Sequence, residues 1–155
     1  MILLGSKNDA AVGKKAVDML RQFGISNEVV VASAHRSPSR VTRLVSQSDA
    51  EVFIAMAGLS AALPGAVAAA TVKPVIGVPI SGKLNLDCIL SIIQMPAGIP
   101  VAAVGLDRAE NAALLAVQIL SLKDKHLMEK LAKYRRDMED SVEKDSQEVS
   151  KDVQS

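Results

Sequence analysis

The chain has 155 residues, 49% of them apolar but only 2% aromatic, and a formal net charge of +1. That length suits one domain with a core of Ala, Val, Ile, Leu and Met, and the near-zero charge leaves no electrostatic footprint for nucleic acid or an anionic membrane. A lone cysteine, Cys88, excludes an internal disulfide and fits a reducing cytoplasm. Met1 leads straight into Ile2, Leu3, Leu4 and Gly5, so no signal peptide is expected, and no apolar run reaches membrane-spanning length without Gly, Pro or charge.

Short apolar runs alternate with helical patterns, the mark of repeated βαβ units around a parallel sheet. The first strand is predicted at 2–4. A helix follows over 10–23, with Val12, Ala16, Met19, Leu20 and Phe23 on its inner face and Gly24 ending it. The second strand covers 28–32. Ser37 caps the next helix, Pro38 takes its first turn, and it runs to about Ser46. The third strand spans 51–57, an Ala-rich helix 63–70 and the fourth strand 74–78. A Gly/Ser/Asn loop leads to a helix over 86–94, and the fifth strand covers 100–105. Asp107 with Glu110 three residues on makes a capping-box-like start for a helix over 109–122.

Beyond residue 122 the composition changes, and about half of all charged residues lie there. Leu127, Leu131, Tyr134, Met138 and Val142 still recur at three- and four-residue spacing, so one stripe is apolar. The predicted division is an α/β nucleotide-binding catalytic domain over 1–122 and a charged helix over 123–155. That helix belongs to the same domain or to a subunit interface, and its last ten residues, 146–155, lack the stripe and are expected to fray.

Five alternating strands predict a flavodoxin-like, doubly wound parallel sheet in the order 2-1-3-4-5, with an extended C-terminal helix. In that topology the loops after strands one, two and three gather at the carboxyl edge, where ligands bind. In the first of these, Gly5 allows a tight turn, Ser6 and Asn8 offer hydrogen-bond donors, and Asp9 suits a ribose hydroxyl. Simple capping of the first helix by Asn8 or Asp9 also accounts for that loop. The second holds Ser33, Ala34, His35 and Arg36 ahead of Ser37 and Pro38. An arginine fork grips phosphate, and a histidine moves protons near neutral pH. Spacing alone leaves open a histidine bonded to a neighbouring loop and an arginine paired with a surface carboxylate. The third loop, with Gly58, Leu59, Ser60, Ala61, Ala62 and Leu63, has no charge and can bring its backbone close to a ligand or simply pack tightly. Gln94 and Met95, ending a later helix, are candidates for a pocket wall or for the core.

Other templates fail. No dinucleotide glycine fingerprint or Walker loop is present, and Cys88 and His126 lack metal-ligand spacing.

Taken together, the motifs Gly5-Ser6-x-x-Asp9, Ser33-Ala34-His35-Arg36-x-Pro38, Ala57-Gly58 with Leu63-Pro64-Gly65, Val75-Ile76-Gly77-Val78-Pro79 and Ser91-Ile92-Ile93-Gln94-Met95-Pro96-x-Gly98 resemble the PurE family. Its members are N5-carboxyaminoimidazole ribonucleotide mutases and aminoimidazole ribonucleotide carboxylases of purine synthesis. The resemblance covers nearly the whole chain and implies a three-layer α/β subunit in a cytoplasmic homo-octamer. It implies that Ser6, Asn8, Asp9 and Arg36 bind the ribonucleotide, with Arg36 at the phosphate and Asp9 at the ribose. Ser33, Ala34, Gly58, Ser60, Ala61 and Leu63 would line the site, and His35 would be the proton shuttle. No metal, nucleotide or organic cofactor is implied. The chain departs from the family at three places: Asn8 replaces a serine, Ala62 stands where mutases often carry a second histidine, and Leu59 and Ser60 replace small residues, Ser60 resembling the Arg-Ser-Asn of carboxylases that use carbon dioxide directly.

Overall fold

Every strand of the sheet runs the same way. The computed structural model describes residues 1–83 and 85–154, so Ser155, the end of the expected tail, lies outside the described residues. In chain order the elements are β1 (Ile2–Leu4), α1 (Ala10–Gln22), β2 (Val29–Val31), α2 (Pro38–Ser46), β3 (Phe53–Ala57), α3 (Leu63–Ala69), β4 (Val75–Pro79), α4 (Asn85–Ile93), β5 (Ala102–Ala103), α5 (Ala109–Ser121) and α6 (Lys125–Gln154). The strands form one all-parallel, five-stranded sheet in the order β2-β1-β3-β4-β5, the flavodoxin-like topology expected from the alternation. Contacts divide the chain into two compact units, Met1–Ala116 and Val117–Ser155.

Strands β1, β3 and β4 are buried along their whole length, as a parallel sheet covered on both faces requires. Side chains alternate between those faces. Leu3, Phe53, Ala55 and Val75 point one way, into a cluster with Val41 of α2, Val67 of α3 and Ile92 of α4. With so few aromatics, close approach does the packing. A Cβ on Gly13 of α1 would lie 2.9 Å from Leu4 Cδ2. At the sheet centre a Cβ on Gly77 would lie 2.5 Å from Ile92 Cγ2 and 3.2 Å from Pro64 Cβ, so this position sets how closely α3 and α4 sit.

The structure departs from the sequence reading in several places. The fifth strand keeps only two paired residues, because it bonds β4 at Ile76–Ala102 and Gly77–Ala103 and then bulges. Ser37 occupies the position before α2, yet its hydroxyl makes no cap. It donates instead to the Ser33 carbonyl and accepts from the Ser33 amide, each at 3.1 Å. Asp107 does not form the expected capping box with Glu110; its carboxylate accepts from the Ser81 amide, 2.9 Å away. The expected fraying from residue 146 is replaced by continuous helix to Gln154. A helix-spaced bond from Gln147 to Glu143 supports it there. No helix among the described residues is long and apolar enough to cross a membrane.

Substituting Gly77→Ala is expected to lower unfolding stability by about 1–3 kcal/mol, the range for overpacked cores. Denaturant unfolding followed by circular dichroism checks this, and an unchanged midpoint would mean that α4 is free to move outward.

Candidate active site

The site begins where β1 ends. Leu4 pairs with Val31 of β2 on one side and Met56 of β3 on the other, so the three loops leave the sheet side by side. The Gly5 amide continues that ladder by donating to the Met56 carbonyl at 3.0 Å. Lys7–Asp9 then forms one 3-10 turn, closed at both ends: Ser6 Oγ accepts from the Asn8 amide at 3.2 Å, and Asp9 Oδ2 accepts from the Ser6 amide at 2.8 Å. Asp9 makes no side-chain cap on α1 itself. It is only 7% exposed. Burial pushes its carboxyl above the usual aspartate range, opposed by the Ser6 amide, the Arg36 guanidinium and the Gly5 amide.

The second loop is tied to the first through Arg36. Its Nη2 donates to the Gly5 carbonyl at 2.9 Å, and its Nε and its own amide both donate to Ser33 Oγ at 3.2 Å. Among the described residues no carboxylate lies within salt-bridge distance of Arg36, so the surface ion-pair alternative is not realised. The guanidinium is anchored to the Gly5 carbonyl and the Ser33 hydroxyl with no direct ion pair among the described residues, a ready anion site. His35 sits on the same turn, exposed. It has no hydrogen-bond partner among the described residues, so the alternative of a loop-bonded histidine is not realised either.

In the third loop the Ala61 amide donates to the Gly58 carbonyl at 3.0 Å. Leu59 and Ala61 hold φ of +53° and +33°, a left-handed region that non-glycine residues enter at a cost. Leu59 is 77% exposed while Ala61 is buried. A Cβ on Gly58 would lie 3.0 Å from the Ile80 carbonyl oxygen, so this loop meets the one after β4 backbone to backbone.

These loops enclose a cavity of about 570 Å³. Ser6, Asn8 and Asp9 line it from the first loop, Ser33, Ala34, His35 and Arg36 from the second, and Gly58, Ser60, Ala61 and Leu63 from the third. The structure thus brings the candidate residues of all three loops to one cavity. It adds Ile80, Ser81 and Gly82, a fourth wall that the sequence reading missed. The signal was a Ser-Gly turn at the carboxyl end of a strand, the same cue used for the first three loops. Gln94 and Met95 are not part of the wall; Met95 Sδ lies 3.3 Å from where a Gly65 Cβ would be. Among the described residues no group of three His, Cys, Asp or Glu side chains could hold a metal. Cys88 is fully buried, its Sγ 3.0 Å from the Asn85 carbonyl oxygen, and burial pushes its thiol up.

Comparison with known proteins fits this arrangement. A family model described as AIR carboxylase matches residues 1–141. The chain belongs to the AIR carboxylase family. A family relative from Methanocaldococcus jannaschii, named N5-carboxyaminoimidazole ribonucleotide mutase, is 55% identical over 142 residues, spanning 91% of this chain and 90% of the relative. A second, from Vigna aconitifolia, is named phosphoribosylaminoimidazole carboxylase, chloroplastic; it is 39% identical over 96% of this chain but only 28% of its own length. Among solved structures, Treponema denticola PurE superposes with a TM-score of 0.85 at 31% identity, over 93% of both chains.

The buried Asp9 makes a signed prediction. A carboxyl whose folded pKa is raised favours the fold while protonated, and that favour is lost as pH climbs through the raised value. Asp9→Asn keeps an acceptor for the Ser6 amide and removes the charge. Its melting temperature relative to the parent is therefore expected to rise from below pH 4 toward neutrality, read by thermal unfolding across that range. A relative melting temperature that falls over this interval would contradict burial as the dominant influence on Asp9.

Proposed function

We propose that this chain is an N5-carboxyaminoimidazole ribonucleotide mutase of purine biosynthesis, acting in the cytoplasm. One observation carries the reading: an imidazole with no hydrogen-bond partner and a guanidinium with no direct ion pair among the described residues share one turn and line one cavity with the buried Asp9 carboxyl. The name of the Methanocaldococcus jannaschii relative points to the same chemistry.

The cavity suits a ribonucleotide end to end. Arg36, with Ser33 and Ser6 beside it, takes the phosphate. Asp9 accepts from a ribose hydroxyl, and the heterocycle lies along the third loop near His35. The carbamate on N5 then breaks its N–C bond and leaves as carbon dioxide, while His35 gives a proton to that nitrogen. The neutral gas stays against Gly58, Ala61 and Leu63, whose small or apolar surfaces offer it no hydroxide and little water. A ring carbon attacks it, a C–C bond forms, and the same imidazole takes back the proton which that carbon sheds. Proton and carboxyl group are both conserved, so no oxidant or second substrate enters. His35 is the lone histidine among the lining residues; Ala62 stands where mutases often carry a second.

Ser60 lines the cavity too and favours a second reading, direct carboxylation of aminoimidazole ribonucleotide by free carbon dioxide. Turnover assays with the N5-carboxy compound, and separately with aminoimidazole ribonucleotide plus bicarbonate, separate the two. The mutase reading expects fast conversion of the first and little of the second. His35→Asn is expected to bind ribonucleotide and lose roughly 10²–10⁴-fold in turnover, the usual worth of general acid–base catalysis. Near-parental activity in that variant would reject the mechanism, and binding without turnover in the parent would make the chain a non-catalytic binding module.

The assembly reading is a homo-octamer joined through α6. Thirty residues of helix span about 45 Å at 1.5 Å per residue. Met138, Val142, Val149 and Val153 along it are more than half exposed, apolar surface that subunit contacts would cover. Light scattering of a chain ending at Leu122 is expected to show smaller particles than the parent; unchanged mass would remove α6 from the interface.

A further inference from the structure

The fourth wall of the cavity, Ile80–Ser81–Gly82, is held by an unusual residue in the loop after β5. Its three successive amides are all spent inside the protein. Ile80 donates to the Ala57 carbonyl at 2.9 Å, Ser81 to Asp107 Oδ1 at 2.9 Å, and Gly82 to Asn85 Oδ1 at 2.8 Å. With no amides left over, the wall is not an anion nest. What it offers a ligand is the Ser81 hydroxyl, which has no hydrogen-bond partner among the described residues.

Asp107 reaches Ser81 because the chain after β5 bulges. The Val104 amide donates to the Gly77 carbonyl at 3.2 Å, and the Asp107 amide donates to the Pro79 carbonyl at 2.9 Å. Three residues advance on one side against two on the other, and the excess is absorbed where Asp107 sits at φ +58°. A bulge of this kind re-aims a side chain, and Asp is among the few non-glycine residues that tolerate the left-handed region. Asp107 therefore holds the end of β4 through its amide, at the Pro79 carbonyl, and the loop beyond it through its carboxylate, at the Ser81 amide. Its own carbonyl accepts from Lys15 Nζ of α1 at 3.3 Å.

We propose that Asp107 is a positioning residue for substrate binding: its carboxylate fixes the Ile80–Ser81–Gly82 wall so that the Ser81 hydroxyl meets the bound ribonucleotide. The inference rests on the cavity being the ribonucleotide site. Asp107→Gly keeps the backbone conformation, since glycine takes positive φ freely, and deletes only the acceptor. Asp107→Asn keeps both an acceptor and tolerance of positive φ.

The test combines steady-state kinetics, thermal unfolding and amide hydrogen exchange on the full chain. Asp107→Gly is expected to raise KM about tenfold, the order expected for losing one charge-assisted bond that orders a binding wall. Its kcat should stay within about twofold of the parent, and exchange should speed up at Ser81. Asp107→Asn is expected to restore KM and protection at Ser81. A merely structural role would instead lower the melting temperature of Asp107→Gly and leave its KM alone. The inference is overturned by an active parent whose Asp107→Gly variant keeps parental KM, or by an Asp107→Asn variant as impaired as the glycine one. A parent that turns over neither the N5-carboxy compound nor aminoimidazole ribonucleotide with bicarbonate would overturn the functional reading and this inference together.

Discussion

The pairing of Leu4 with Val31 and with Met56 fixes three loops to one edge of the sheet, and the site depends on that register. β1 lies between β2 and β3, so the first loop is flanked by the second and third without any long side chain having to span the gap. Arg36 then locks the arrangement by bonding the Gly5 carbonyl with one nitrogen and Ser33 Oγ with another. A slip of one residue in β1 would turn Ile2 and Leu4 to the opposite face. The hydrophobic core and the geometry of the site are therefore enforced by the same hydrogen bonds.

The division of labour within the loops follows from what each backbone leaves unpaired. In the first loop the Ser6 and Asn8 amides are satisfied by Asp9 and Ser6, which stiffens the turn and buries a carboxylate beside a guanidinium. In the second, the Ser33–Ser37 exchange holds the turn while His35 stays unbonded among the described residues. In the proposed role of proton shuttle His35 would change partners during turnover, and an imidazole already bonded to the protein would have to break that bond first. The third loop carries left-handed backbone at Leu59 and Ala61, and strain of this kind collects at ligand-binding positions.

Close packing without aromatics runs through the whole domain. Glycines at positions 13 and 77 let helices and sheet come closer than a Cβ would allow, and Gly58 does the same between its loop and the one after β4. The core is thus built from many short contacts between small side chains, and its dispersion energy depends on those distances being kept. The same economy shapes the cavity, where Gly58 and Ala61 lie beside Ile80 rather than beneath large side chains.

The alternation of strands and helices, the five-strand order and the three loops were legible in the chain, because period-two and period-3.6 patterns and turn residues are local properties. The residues named from those loops all line one cavity because topology alone fixes which strand ends are neighbours. Other features were invisible for a shared reason. Whether Asp107 would cap its own helix depended on which distant amide came within reach, and Ser81 won that competition, while Ser37 turned back on Ser33 four residues earlier because the folded loop brought them together. The two-residue β5 and the wall after β4 likewise follow from where the bulge at Asp107 falls, a long-range pairing that no local pattern encodes. Local chemistry determined the repertoire of groups at the sheet edge; only the folded backbone decided which of them remained free to meet a ligand.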